Sequence, residues 1–138
     1  MPIAMTTLAS AIVDSPLSAL LARTVLNKLF WMAGLYGVFN FSAIVQEMVN
    51  EKLPVPMAFA VATIATQILG SALVITNFQG LGWVGAMGLA VFTLLTIPFG
   101  HAFWTFDEPR KTAEFHIALE HITVAGGLLL AAIYLAKR

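Results

Sequence analysis

The chain has 138 residues, 59% of them hydrophobic and only 10% charged, with seven basic residues balanced by seven acidic ones. A soluble domain carries about a quarter charged residues to solvate its surface, so this composition excludes an ordinary soluble fold, and its scattered, neutral charge excludes a nucleic-acid partner. The lack of cysteine excludes thiol chemistry, Cys-x-x-Cys-His haem attachment and Cys-ligated iron–sulfur clusters in this chain.

The first 16 residues have no basic segment ahead of their apolar part, so they read as a loose or interfacial N-terminal segment rather than a cleaved signal. A first span is expected at about 18–41, the least apolar because it holds Arg23, Asn27 and Lys28. At about 42–53, Ile44, Val45, Met48 and Val49 recur at helical spacing opposite Gln46, Glu47, Asn50 and Glu51, the pattern of an interfacial amphipathic helix. Pro54 and Pro56 stop it.

Between Lys52 and Asp107 no residue is charged. A span needs about 20 residues, and two fit there, at about 57–76 and 81–100, joined by Asn77-Phe78-Gln79-Gly80 as antiparallel neighbours. His101 to Lys111 runs from aromatic to charged, as an interface followed by water requires. A fourth span at about 113–136 ends in Lys137 and Arg138. The expected fold is therefore all-α: one transmembrane domain, an antiparallel four-helix bundle in contact with the lipid bilayer. Both termini then share one side, and the basic residues place that side in the cytoplasm by a narrow margin.

Polar side chains at membrane depth are costly, so where they point is informative. At 100° per residue, Arg23, Asn27, Gly34 and Gly37 share one face of the first span. Thr63, Gln67, Gly70 and Asn77 share a face of the second, with Thr66 and Ser71 beside them, and Thr93, Thr96 and Gly100 share one on the third. On the fourth, His116, Glu120, Thr123, Gly127 and Tyr134 align, one turn separating His116 from Glu120. Small and hydroxyl residues on such faces serve helix packing, whereas ionisable and amide groups suggest a ligand. The candidate ligand-binding residues are Arg23, Asn27, Gln67, His101, Trp104, His116 and Glu120, with the pocket in the leaflet opposite the termini, near His101, Trp104, His116 and Glu120. No His-x-x-x-His and no repeated Glu-x-x-His pair occurs, which disfavours metal or haem ligation. A His–Glu pair that hydrogen-bonds a quinone carbonyl fits the residues better.

Several motifs in order carry a resemblance. Arg23, Phe30, Ala33-Gly34, the proline before the second span, Gln67 with Gly70, His101-Ala102-Phe103-Trp104 and Gly126-Gly127-Leu128-Leu129 together resemble the DoxX family of small four-span membrane proteins. Two positions depart from its pattern: Gln67 stands where many members have an acidic residue, and Glu120-His121 where a Lys-Asn pair is common. The resemblance implies a bacterial or archaeal inner-membrane subunit of an oxidoreductase complex such as a thiosulfate:quinone oxidoreductase, with quinone as ligand and a protein partner. The alternative is a non-catalytic membrane interaction or assembly protein whose polar faces only join helices. A small-solute transporter is disfavoured by the lack of an inverted repeat and of a helix broken at the midplane.

Overall fold

The computed structural model describes residues 7–138, and among these every regular element is helical. The chain runs through α1 (Thr7–Val13), α2 (Pro16–Leu26), α3 (Lys28–Phe39), α4 (Phe41–Asn50), α5 (Pro56–Thr76), α6 (Gly82–Gly100) and α7 (Arg110–Leu135). Helices α5, α6 and α7 are each long and apolar enough to cross a membrane. Two bent pairs, α1 with α2 at 53° and α3 with α4 at 106°, pass the same test when each is joined.

Over the stretch expected as the first span, 18–41, the chain forms two helices, α2 and α3, with an interruption at Asn27. Asn27 keeps the turn going through its own N–H to the Arg23 carbonyl, and its side-chain amide donates to that same oxygen at 2.7 Å. The Thr24 carbonyl, released by the interruption, accepts from the Trp31 indole at 3.2 Å. Each replacement bond matters where water cannot supply one. The N-terminal segment, expected to be loose or interfacial, is helical from Thr7, with no buried residue in α1; residues 1–6 lie outside the described part.

The amphipathic helix at 42–53 is realised as α4, turned sharply from α3. It ends in a Schellman motif: Lys52, at φ 58°, sends its N–H to Val49, and Leu53 reaches back to Met48 at 3.1 Å. Pro56 then opens α5 from its first turn. At the far end Asn77 adopts φ 49° and its side-chain oxygen accepts from the Gly82 N–H at 2.9 Å, which caps both α5 and the start of α6. Gly80, at φ 72°, supplies a left-handed residue that this short reversal needs.

Packing rests on small residues. A Cβ built on Gly85 would lie 2.6 Å from the Gly70 carbonyl oxygen, and one on Gly34 would lie 2.6 Å from Ile68. Backbones approach here because lipid offers no hydrophobic drive between helices, so close van der Waals fit must supply it. The main core joins Phe30, Val74, Leu89, Leu128 and Leu135, and a second cluster of Ile44, Ala60 and Ile64 fixes α4 onto α5. Leu, Val, Ile and Phe side chains elsewhere on the long helices face outward, the surface of a protein whose solvent there is hydrocarbon.

Candidate functional site

Helices α5 and α6 meet tightly at Gly70 and Gly85, and in the direction of α4 the space beside them is not filled by side chains. A cavity of about 810 Å³ occupies it, within the roughly 300–1,000 Å³ usual for small-molecule sites. Phe30 and Ala33 of α3 and Phe92 of α6 form apolar wall. Phe59, Leu95 and Phe99 line the cavity while 41%, 54% and 54% exposed, so it opens sideways through an apolar rim. Met48, Leu53, Pro54 and the carboxylates Glu47 and Glu51 border it at α4 and the link that follows.

The polar lining comes from Thr63, Thr66 and Gln67 on α5, Thr93 and Thr96 on α6, and two histidines. Thr93 and Thr96 turn their hydroxyls back to the carbonyls of Leu89 and Thr93, both at 2.7 Å. That leaves the Gln67 amide, the imidazoles and the Thr63 and Thr66 hydroxyls as the groups able to meet a ligand. His101 Nδ1 and Glu114 Oε2 are 2.8 Å apart, and Arg110 Nε approaches the other Glu114 oxygen at 3.5 Å. A carboxylate can only accept, so Nδ1 is the protonated nitrogen and Nε2 is left for other work. His121 Nδ1 likewise donates to the Ile117 carbonyl at 2.9 Å. The two rings meet edge to face with centroids 4.8 Å apart.

Helix periodicity explains why His121 and Glu114 face in. Glu114, Ala118, His121, Ala125, Leu128, Ala132 and Leu135 succeed one another at steps of three or four, and this stripe is half-buried or buried throughout. His116 and Glu120 fall on the other side of α7 and are exposed. The expected inward face through His116, Glu120 and Thr123 is therefore corrected: all three are exposed, and the small residues Ala118, Ala125 and Ala132 are buried instead, the last two packed with Ala86, Leu89 and Ala90 of α6.

The remaining candidates separate. Gln67 and His101 line the cavity. Trp104 is 55% exposed, meets Phe103 edge to face and does not line the cavity. Arg23 lies at the opposite end, where its guanidinium donates to the Val74 and Ala19 carbonyls, both at 3.2 Å. Asn27 is fully buried in the core. His121 and Glu114 escaped the sequence reading, although the Ala118–Ala125–Ala132 spacing marks their face. Among the described residues no three His, Cys, Asp or Glu side chains are placed to hold a metal ion.

An all-helical exterior of apolar side chains around a polar-lined cavity defines an integral membrane protein. The chain belongs to the DoxX family, whose model matches residues 18–102. It is 25% identical over 122 residues to a protein described as inner membrane protein YphA of Escherichia coli (strain K12), covering 86% of this chain and 83% of that one. No solved structure matches significantly.

Proposed function

We propose that this protein is the membrane subunit of an oxidoreductase assembly and that its cavity binds the ring of a quinone. The observation that carries the reading is the combination of an aromatic-walled cavity, open sideways through an apolar rim, with the Gln67 amide and two imidazoles on its lining. A quinone presents two carbonyl acceptors on a flat apolar ring, and its isoprenoid tail requires an exit into lipid. Gln67 offers an amide N–H to one carbonyl. His101, with its Nδ1–H on Glu114, carries a second N–H on Nε2 in the cationic form of the ring, and that form gives it to the other carbonyl.

Conversion to quinol consumes two electrons and two protons. The electrons come from the redox centre of a partner protein, and the protons enter by way of Glu114 and His101, whose 2.8 Å contact leads from the exposed Arg110 toward the cavity. The Phe wall excludes water from the reduced ring. Equilibrium binding of a quinone analogue to the purified protein tests the reading: the parent binds, and Thr63→Phe, which fills the cavity from α5, lowers affinity by at least about tenfold, the scale of one lost contact of 1.4 kcal/mol. A parent that binds none leaves the assembly-protein reading in its place.

The same proposal holds the chain to four antiparallel spans in a bacterial inner membrane: α2 with α3, then α5, α6 and α7, with α1 and α4 along opposite interfaces. Lys137, Arg138 and Arg23 at the end shared by the termini outweigh Lys52, Arg110 and Lys111 only slightly in favour of cytoplasmic termini. Single cysteines at Asn50 and Thr112 are expected to label from one side of the membrane, and those at Gln79 and Lys137 from the other. Labelling of Gln79 together with Thr112 would end this topology.

A further inference from the structure

At the end of the bundle away from the cavity, a separate crevice of about 430 Å³ lies between α2 and α7, with Val13 at its edge. Its floor and walls are Ala19, Ala22, Leu26, Leu130 and Ala131, and Gly127 leaves room opposite Leu26. Arg23 and Tyr134 line the same crevice, and the Arg138 guanidinium stacks over the Tyr134 ring at 4.4 Å.

Arg23 is the unusual member. It is half-buried beside apolar helices, and an arginine is a permanent cation. Two of its five N–H donors are used, Nε on Ala19 and one Nη1 hydrogen on Val74, both to neutral carbonyls. Among the described residues the ion pairs all lie at the other end, between Glu114 and its neighbours, and Arg23 faces no carboxylate within pairing distance. Asp14, at the corner of α1 and α2, is exposed and does not line the crevice. A cation held this way at the membrane edge keeps unspent donors and unneutralised charge, both of which an anionic oxygen would satisfy.

We propose that the crevice between α2 and α7 is a binding site for one anionic phospholipid. Its phosphate accepts from the free Nη donors of Arg23, with the Tyr134 hydroxyl and Arg138 at the headgroup, and an acyl chain lies along Ala22, Leu26 and Leu130. The apolar trough distinguishes this from simple snorkelling of an arginine to bulk headgroups, because the lipid is held by its chain as well as its charge. Arg23 is thereby a link between the lipid and α5, since the same guanidinium secures the Val74 carbonyl near the C-terminal end of that helix. The site is independent of the quinone reading and stands or falls without it.

Native mass spectrometry and thermal unfolding of the full chain in nanodiscs test it, with phosphatidylglycerol in phosphatidylcholine against phosphatidylcholine alone. The expected result is one retained phosphatidylglycerol and a Tm raised by about 5 °C, as saturating ligand gives a chain of this size. Arg23→Gln should abolish both. Because that change also removes the bond to Val74, on which folding can depend, Ala22→Phe, which blocks the trough without touching any hydrogen bond, and Arg138→Gln provide second readings; each should lose the retained lipid. Inorganic phosphate at millimolar concentration should not reproduce the shift. Equal stabilisation by the two lipids, a shift produced by free phosphate alone, or a lipid retained by Ala22→Phe would overturn the proposal.

Discussion

Under the proposed quinone reading, His101→Ala is expected to lower quinone-linked turnover of the assembled complex by about 10²- to 10⁴-fold, the usual contribution of a positioned acid–base group. His101 is the cavity residue whose ring is held by a carboxylate, with Nδ1 and Glu114 Oε2 at 2.8 Å, so under the proposed quinone reading its loss removes both the proton donor of the cationic ring and the carboxylate-linked route that recharges it. Analogue binding should fall much less, by about tenfold for one hydrogen bond. Glu114→Gln keeps an oxygen to accept from Nδ1 but cannot stabilise a cationic ring, so its effect should appear in turnover and in the pH profile rather than in binding. His116→Ala and Glu120→Gln are the controls. Both residues are exposed on the outer side of α7, and each variant should turn over and bind as the parent does. Loss of activity in the controls with full activity in His101→Ala would reverse the assignment.

Gly85→Ala is expected to destabilise the bundle by about 1–3 kcal/mol, the cost of overpacking a closed contact. The new Cβ would sit 2.6 Å from the Gly70 carbonyl oxygen and 2.8 Å from Leu73 Cβ. Neither atom is the end of a flexible chain that could rotate away, so α5 and α6 must separate. Gly88→Ala, three residues on, meets no atom within 4 Å, and there alanine should be neutral or stabilising by up to about 1 kcal/mol through its better helix propensity. Unfolding in detergent followed by circular dichroism compares the two. Equal stability of both variants would show that the contact at Gly70 yields without cost. Since this contact is also where α5 and α6 converge beside the cavity, Gly85→Ala should in addition weaken analogue binding.

Hydropathy and breaking residues by themselves determined most of the framework. The uncharged run from 53 to 106 with Asn77 to Gly80 inside it is legible as two helices and a reversal because a bilayer demands length and apolarity, and α5 and α6 begin and end within a residue or two of the expected bounds. The amphipathic spacing of Ile44, Val45, Met48 and Val49 likewise located α4, and the inward faces of Thr63, Gln67 and Gly70 and of Thr93 and Thr96 follow from period alone. Other features depended on neighbours. Nothing local in Arg23 to Lys28 distinguishes an interrupted helix from a continuous one, since Asn27 is tolerated in either, and the interruption is fixed by the bonds of Asn27 and Trp31 to backbone carbonyls.

The fourth helix is where sequence and tertiary structure part. A polar stripe through His116 and Glu120 and a small-residue stripe through Ala118, Ala125 and Ala132 both have helical period, and period cannot say which one turns inward. Close approach to α6 requires small side chains, and that requirement carries His121 and Glu114 inward while leaving His116 and Glu120 outside. His101 was visible as a candidate from its place after the third span, but its partner across the loop was decided only by the packing of α6 on α7. Composition and period set which segments are helices in a membrane; the physical contest between polar and small faces for the interior, resolved by packing, decided which polar groups meet.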